Sequence, residues 1–189
     1  MKQEIRILGV DDMPFTFDDE HVGVVGVVMR GNHYIEGVLH TDIEVDGTDA
    51  TERLIELITS SRHAGQLRAV MVDGGALGGF NVVDGQRLHQ ATNIPTMTVT
   101  ANEPDREALV AALKQHFDDW RHRWDIMQKG ELCRVPLRYP LYVKPFGLTL
   151  EEATEMIKLS IMRGALPEPL RVAHLIATGI KTGESYGRR

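Results

Sequence analysis

Residues 21–29, His-Val-Gly-Val-Val-Gly-Val-Val-Met, are too β-branched and too often broken by glycine to form a helix. That run narrows the folds open to the chain. It follows an apolar run at 4–10 and an acidic, proline-containing loop at 12–20. Arg30-Gly31-Asn32-His33 then supplies a turn, and residues 34–45 return as a long strand. The chain thus opens with three successive strands, read as an antiparallel meander. A doubly wound fold would instead place a helix directly after its first strand.

Asp46-Gly47-Thr48 ends the meander, and Asp49 or Thr48 can cap a helix over 50–62. In that helix Leu54, Ile55, Leu57 and Ile58 repeat at helical spacing. A fourth strand is expected at 67–73, a short helix at 85–92 and a further strand at 95–100. Residues 105–117 read as a helix that continues or kinks into 118–128. Residues 131–147 carry three of the eight prolines and read as irregular or β-like. Two more helices fit 150–162 and 168–180, separated by Gly164 and Pro167. The expected fold class is α/β, a mixed sheet antiparallel in its first three strands and parallel later, with flanking helices. One domain is expected across residues 1–189.

The first and fourth strands both stop at carboxylates, Gly9-Val10-Asp11-Asp12 and Val72-Asp73-Gly74-Gly75. In an open α/β sheet the carboxyl ends of neighbouring strands line one crevice. Two aspartates delivered there can share a divalent cation, and their hard oxygens suit Mg²⁺ or Mn²⁺. The competing reading is an ordinary Asp-Gly turn after a strand. The glycine-rich segment 74–79 permits close backbone approach to a ligand, or is simply a flexible turn.

The net charge of −6 is not the basic signature of a nucleic-acid binder. The charge is uneven, however. Arg121, His122, Arg123, Lys129, Arg134, Arg138 and Lys144 gather after an acidic first third, and Arg188-Arg189 close the chain. An acidic metal pocket flanked by basic surface is consistent with a nuclease; a solvated surface of mixed charge is the alternative. No stretch approaches the roughly 20 apolar residues that cross a bilayer, so no membrane partner is expected. The single cysteine, Cys133, and a start without a signal-peptide pattern lead us to expect a cytoplasmic protein. His21, His33, His40 and His89 lack metal-ligand spacing, and Trp120 and Trp124, at i and i+4, are expected to pack.

A receiver domain also carries acidic strand ends, but residues 21–45 rule out its topology. The β-β-β-α-β order with carboxylates on strands one and four resembles the ribonuclease H-like nucleases. Within them the chain is similar to endonuclease V, and more closely to an archaeal family of relatives described as endonuclease dU. The resemblance runs through Gly9-Val10-Asp11, Tyr34-Ile35-Glu36-Gly37, Val72-Asp73-Gly74-Gly75, Gly85-Gln86-Arg87-Leu88-His89 and Ile94-Pro95-Thr96. It continues in residues 43–51 and in His174-Leu175-Ile176-Ala177, spanning nearly the whole chain.

The resemblance implies a metal-dependent endonuclease acting on DNA with a deaminated or lesioned base, deoxyuridine above all. It implies Mg²⁺ or Mn²⁺ held by Asp11 and Asp73, with a middle acid and a late helical histidine, which His174 matches. Period-two spacing sets Asp42, Glu44 and Asp46 on one strand face. Asp46, nearest the crevice, is the expected middle ligand, with Asp49 a further candidate. Tyr34, Gly74 and Gly75 are the expected base and DNA contacts. Two departures stand out. His33 and Glu36 occupy the positions where endonuclease V flanks its wedge with prolines, and its strand-five lysine is replaced by Thr100 or Ala101. The alternative function is a non-catalytic nucleic-acid- or protein-binding module that retains the nuclease fold.

Overall fold

In the computed structural model, which describes residues 5–186, the first strand has no solvent face. Leu8 and Val10 point into one core and Ile7 into another, all fully buried. Strands covered on both faces read as nearly continuous apolar runs, and β1 (Arg6–Asp12), β2 (His21–Arg30) and β4 (Leu67–Asp73) do so. With β3 (Tyr34–Glu44), β7 (Thr96–Thr100), β8 (Cys133–Val135) and β9 (Leu141–Phe146) they form a seven-stranded sheet of order β3-β2-β1-β4-β7-β9-β8. A two-residue pair, β5 (Ala76–Leu77) and β6 (Asn81–Val82), closes the glycine-rich loop.

The expected meander forms: β1–β2 and β2–β3 are antiparallel, whereas β1–β4 and β4–β7 are parallel. The stretch read as irregular or β-like is a hairpin, β8–β9, that joins β7 antiparallel and extends the sheet. Both margins of the sheet are therefore antiparallel around a parallel centre.

Helices α1 (Ala50–Thr59) and α2 (Gly85–Thr92) cover one face, where Leu54, Ile58 and Leu88 pack on Leu8, Val10, Val70 and Val72. The helical span expected at 105–128 breaks at Phe117 into α3 (Arg106–His116) and α4 (Trp120–Met127). Helices α5 (Leu150–Ser160) and α6 (Glu168–Thr182) cover the other face. A capping box between Thr149 and Glu152 starts α5. Asp49 does not cap α1. Its carboxylate accepts from Glu44 N and Asn81 Nδ2, while Asn81 Oδ1 takes the Ala50 N–H. Among the described residues no helix is long and apolar enough to cross a membrane.

Gly9 decides where α6 lies. A Cβ there would sit 2.3 Å from the Pro169 carbonyl carbon, so the helix start rests directly on the β1 backbone. This contact sets the height at which the rest of α6 crosses the strand ends.

The opposite end of the sheet is tied by charge. Glu36 accepts from both Arg6 and Arg30 across three strands. Burial works against its ionisation, but the two guanidinium groups outweigh it and hold its pKa below the ordinary 4.5. A carboxylate with a depressed folded pKa stabilises above its unfolded value and loses that contribution as pH falls through the folded one. Glu36→Gln should therefore cost about 1–2 kcal/mol at pH 7. The difference in melting temperature from wild type should shrink steadily below pH 4.5. An equal difference at about pH 7 and about pH 3, which lie on either side of the ordinary carboxylate pKa, would refute this.

Candidate active site

Val10 lies opposite Val72 in the parallel β1–β4 ladder, so the next residues, Asp11 and Asp73, leave adjacent strands at one level. Adjacent strands run about 4.8 Å apart. Because Leu8, Val10, Val70 and Val72 face α1 and α2, alternation sends both aspartates to the α6 side. Asp11 is 3% exposed, and its Oδ2 lies 2.9 Å from Nδ1 of His174. With the proton on Nδ1 the imidazole donates to the carboxylate, and the bond orients both groups. The structure thus joins two of the expected site residues across 163 positions of sequence.

Asp46 behaves differently. It stands in the left-handed region at φ 54°, its N–H donates to Gly78 O, and its Oδ1 accepts from Phe80 N at 2.8 Å. A Cβ on Gly79 (φ +90°) would come within 2.2 Å of that Oδ1, so glycine is required there. Asp12 Oδ2 accepts from Gly78 N at 2.6 Å. Asp12 and Asp46 are therefore the two pegs that fold the 74–80 loop over the strand ends. β3 stops at Glu44, and the turn that follows ends the alternation expected to aim Asp46 with Asp42 and Glu44. Asp42 is exposed, with His40 Nε2 at 3.8 Å, and Glu44 is exposed as well.

The donor set bears on the implied cation. Among the described residues no group of three or more His, Cys, Asp or Glu side chains is arranged to hold a metal ion. The expected three-carboxylate set is not assembled. Mg²⁺, however, characteristically uses one or two carboxylates together with waters and substrate phosphates. The Asp11–Asp73 pair fits that mode.

Tyr34 is not at this site. It pairs with Arg30, which pairs with Arg6, so the hairpin returns it to the far end of β1. The five residues from Arg6 to Asp11 span roughly 17 Å. Tyr34 is half-exposed beneath the Arg30 guanidinium, and its neighbour Glu36 belongs to the ion pairs described above.

The basic group at 121–144 also divides. Arg134 and Arg138 are exposed, but Arg123 is buried, donating to Gly47 O and Phe80 O and pairing with Asp119. Arg123 thereby fastens α4 to the two loops that carry Asp46 and the glycines. Lys129 pairs with Asp84. The Arg188-Arg189 segment lies outside the described residues. Trp120 and Trp124 are half-buried rather than core, with Lys114 and Arg121 over one ring and Arg106 over the other.

Gly75 and Ala76 open onto a cavity of about 870 Å³, walled by Phe80, Val83, Leu109, Trp124 and Phe146. Lys144 lines it from β9. Period-two spacing could have flagged Lys144, because Leu141 and Val143 alternate inward on the other face. Nothing local marks Arg123.

A sheet ordered 3-2-1-4, with paired aspartates at the ends of β1 and β4, places this chain among the ribonuclease H-like folds of endonuclease V type. Ciona intestinalis endonuclease V, solved with an inosine-containing DNA, shares that fold at TM-score 0.58 and 15% identity, over 90% of this chain and 82% of that one. More specifically, the chain belongs to the Endonuclease dU family, whose model matches residues 3–181. A UPF0215 protein of Methanothermobacter thermautotrophicus is 48% identical over 189 residues, 99% of this chain and 93% of that protein. The crystal structure of a protein of unknown function from Archaeoglobus fulgidus matches at TM-score 0.86 and 38% identity, covering 94% of this chain and 98% of that one. Family and fold together support a nuclease.

Proposed function

We propose that this protein is a divalent-metal-dependent endonuclease that cuts DNA containing a deaminated or otherwise lesioned base, deoxyuridine being the substrate that the family description names. The carrying observation is the placement of Asp11 and Asp73 at one level on adjacent strands, with His174 bonded to Asp11. The pair would hold Mg²⁺ or Mn²⁺. When bound, the cation supplies an activated water and stabilises the leaving oxygen. His174 keeps the Asp11 carboxylate turned toward the α6 side, and the burial of Asp11 fixes it there. The 74–79 loop, pegged by Asp12 and Asp46, offers backbone close enough to contact an extruded base. The endonuclease V complex with inosine-containing DNA supports DNA as the partner.

A second reading, a binding module that retains the fold without catalysis, is favoured because no set of three or more metal-binding side chains is assembled among the described residues. One assay separates the two. Labelled duplexes carrying uracil, hypoxanthine, an abasic site or no lesion are incubated with Mg²⁺ or Mn²⁺, and in parallel with a chelator. The nuclease reading expects nicking of the uracil duplex at least about tenfold above the intact one, lost with the chelator. Binding of lesioned duplex with no cut under either metal would establish the module instead.

A further inference from the structure

The cavity behind the glycine loop has apolar walls and one half-buried cation aimed into it. Lys144 sits on β9 opposite Thr98, and its Nζ donates to Met127 O. An ammonium carries three donors and no acceptor, so two N–H groups remain beyond the Met127 bond. The other charged groups differ. Arg106 bonds Gln128 and lies over Trp124, Lys129 pairs with Asp84, and Glu103 and Glu131 are solvent-exposed. The mouth at Gly75 is two residues past Asp73, at most about 7 Å of chain. The cavity lies on the α2 side of the sheet and the aspartates face the α6 side, so a base next to a phosphate held at the aspartates would enter it around the strand ends, through the Gly75 mouth.

We propose that Lys144 is a specificity-determining residue that admits deaminated bases and rejects their parents, an inference that rests on the nuclease reading above. Deamination replaces an exocyclic amine with a carbonyl. Cytosine N4–H₂ becomes uracil O4, and the adenine amine becomes hypoxanthine O6. A donor-only group matches the carbonyl and opposes the amine, because two donors then face each other and neither finds an acceptor. Burial, and next the positive charge of Arg106, lower the Lys144 pKa, which makes its ammonium the stronger donor. The cavity volume of about 870 Å³ lies in the range of small-molecule sites and accommodates purines as well as pyrimidines. Selection is thus by exocyclic group and not by ring size.

Two readouts test this. Trp124 lines the cavity, so its fluorescence reports nucleoside binding independently of any cut. The wild-type protein should bind 2′-deoxyuridine and 2′-deoxyinosine more tightly than 2′-deoxycytidine. Lys144→Met keeps the apolar stem and removes the donors. Its preference for uracil over cytosine, in nucleoside binding and in nicking, should fall about ten- to a hundredfold, the range for a lost charge-assisted bond. Lys144→Arg, which keeps donors, should retain most of the preference. The inference is overturned if Lys144→Met keeps the wild-type preference, or if wild type binds 2′-deoxycytidine as tightly as 2′-deoxyuridine. If Lys144→Met does not fold, as judged by its melting curve, loss of preference in a folded Lys144→Gln counts for the inference and retention counts against it. A wild-type protein that discriminates the nucleosides through Lys144 yet nicks no duplex would sink the nuclease reading alone.

Discussion

Asp73→Asn should reduce nicking of uracil-containing duplex by about a hundred- to a thousandfold while the protein stays folded. The substitution preserves the shape of the side chain and removes the charge that would hold the cation. Transition-state charge stabilised by a metal is worth several kcal/mol, and each 1.4 kcal/mol is about tenfold in rate. Asp73 is half-buried at the open end of β4 and has no part in either apolar core. Its replacement should therefore move the melting temperature by only a few degrees, in keeping with an isosteric change at a strand end. Calorimetric titration with Mn²⁺ should show the loss of binding directly. Wild-type nicking in the variant, accompanied by a large fall in melting temperature, would show Asp73 to be a turn residue.

Gly9→Ala should destabilise the protein strongly. The added methyl group would meet backbone, 2.3 Å from the Pro169 carbonyl carbon and 2.4 Å from its oxygen. Backbone at a helix start cannot rotate away as a side chain can, so α6 must lift from β1. Forcing extra volume into a packed contact of this kind costs about 3 kcal/mol. For a chain of this size that is a fall of roughly 6–12 °C in melting temperature. The lift would also withdraw His174 from Asp11, because both contacts belong to one rigid helix. Activity should thus fall further than the folded fraction explains, and Leu170→Val, which trims the same helix without displacing it, should show the stability loss with a smaller loss of rate. A melting temperature within about 2 °C of wild type in Gly9→Ala would refute the close approach.

Local periodicity carried much of this protein into view. The β-branched, glycine-broken run at 21–29 excluded a helix after strand one, and the meander it implied is the one observed. Strand ends at Asp11 and Asp73 were legible because an apolar run that stops on Asp-Gly or Asp-Asp marks its own boundary. The hairpin at 133–146 was only half legible, since proline spacing signals irregularity without saying which strand pairs with which, and the helix break at Phe117 was legible only as a possible kink.

The rest depends on contacts that no window of sequence contains. Parallel pairing of β1 with β4 sets Asp11 beside Asp73, and it requires the chain to cross over through α1. The same hairpin geometry that made the meander predictable carried Tyr34 to the far end of the sheet, where its family resemblance alone could not place it. Asp46 looked like a ligand by alternation, but a turn after Glu44 redirected it into holding the glycine loop. Arg123 reads as one more surface charge until Gly47 and Phe80 present two carbonyls to it across α4. The amino-acid sequence by itself determined which segments are strands and helices and which carboxylates end them, because those follow from period and turn chemistry within a few residues. Which side chains share a site was decided only by the tertiary structure, because hydrogen bonds such as His174 to Asp11 join residues 163 positions apart and form only once the helix is seated on Gly9.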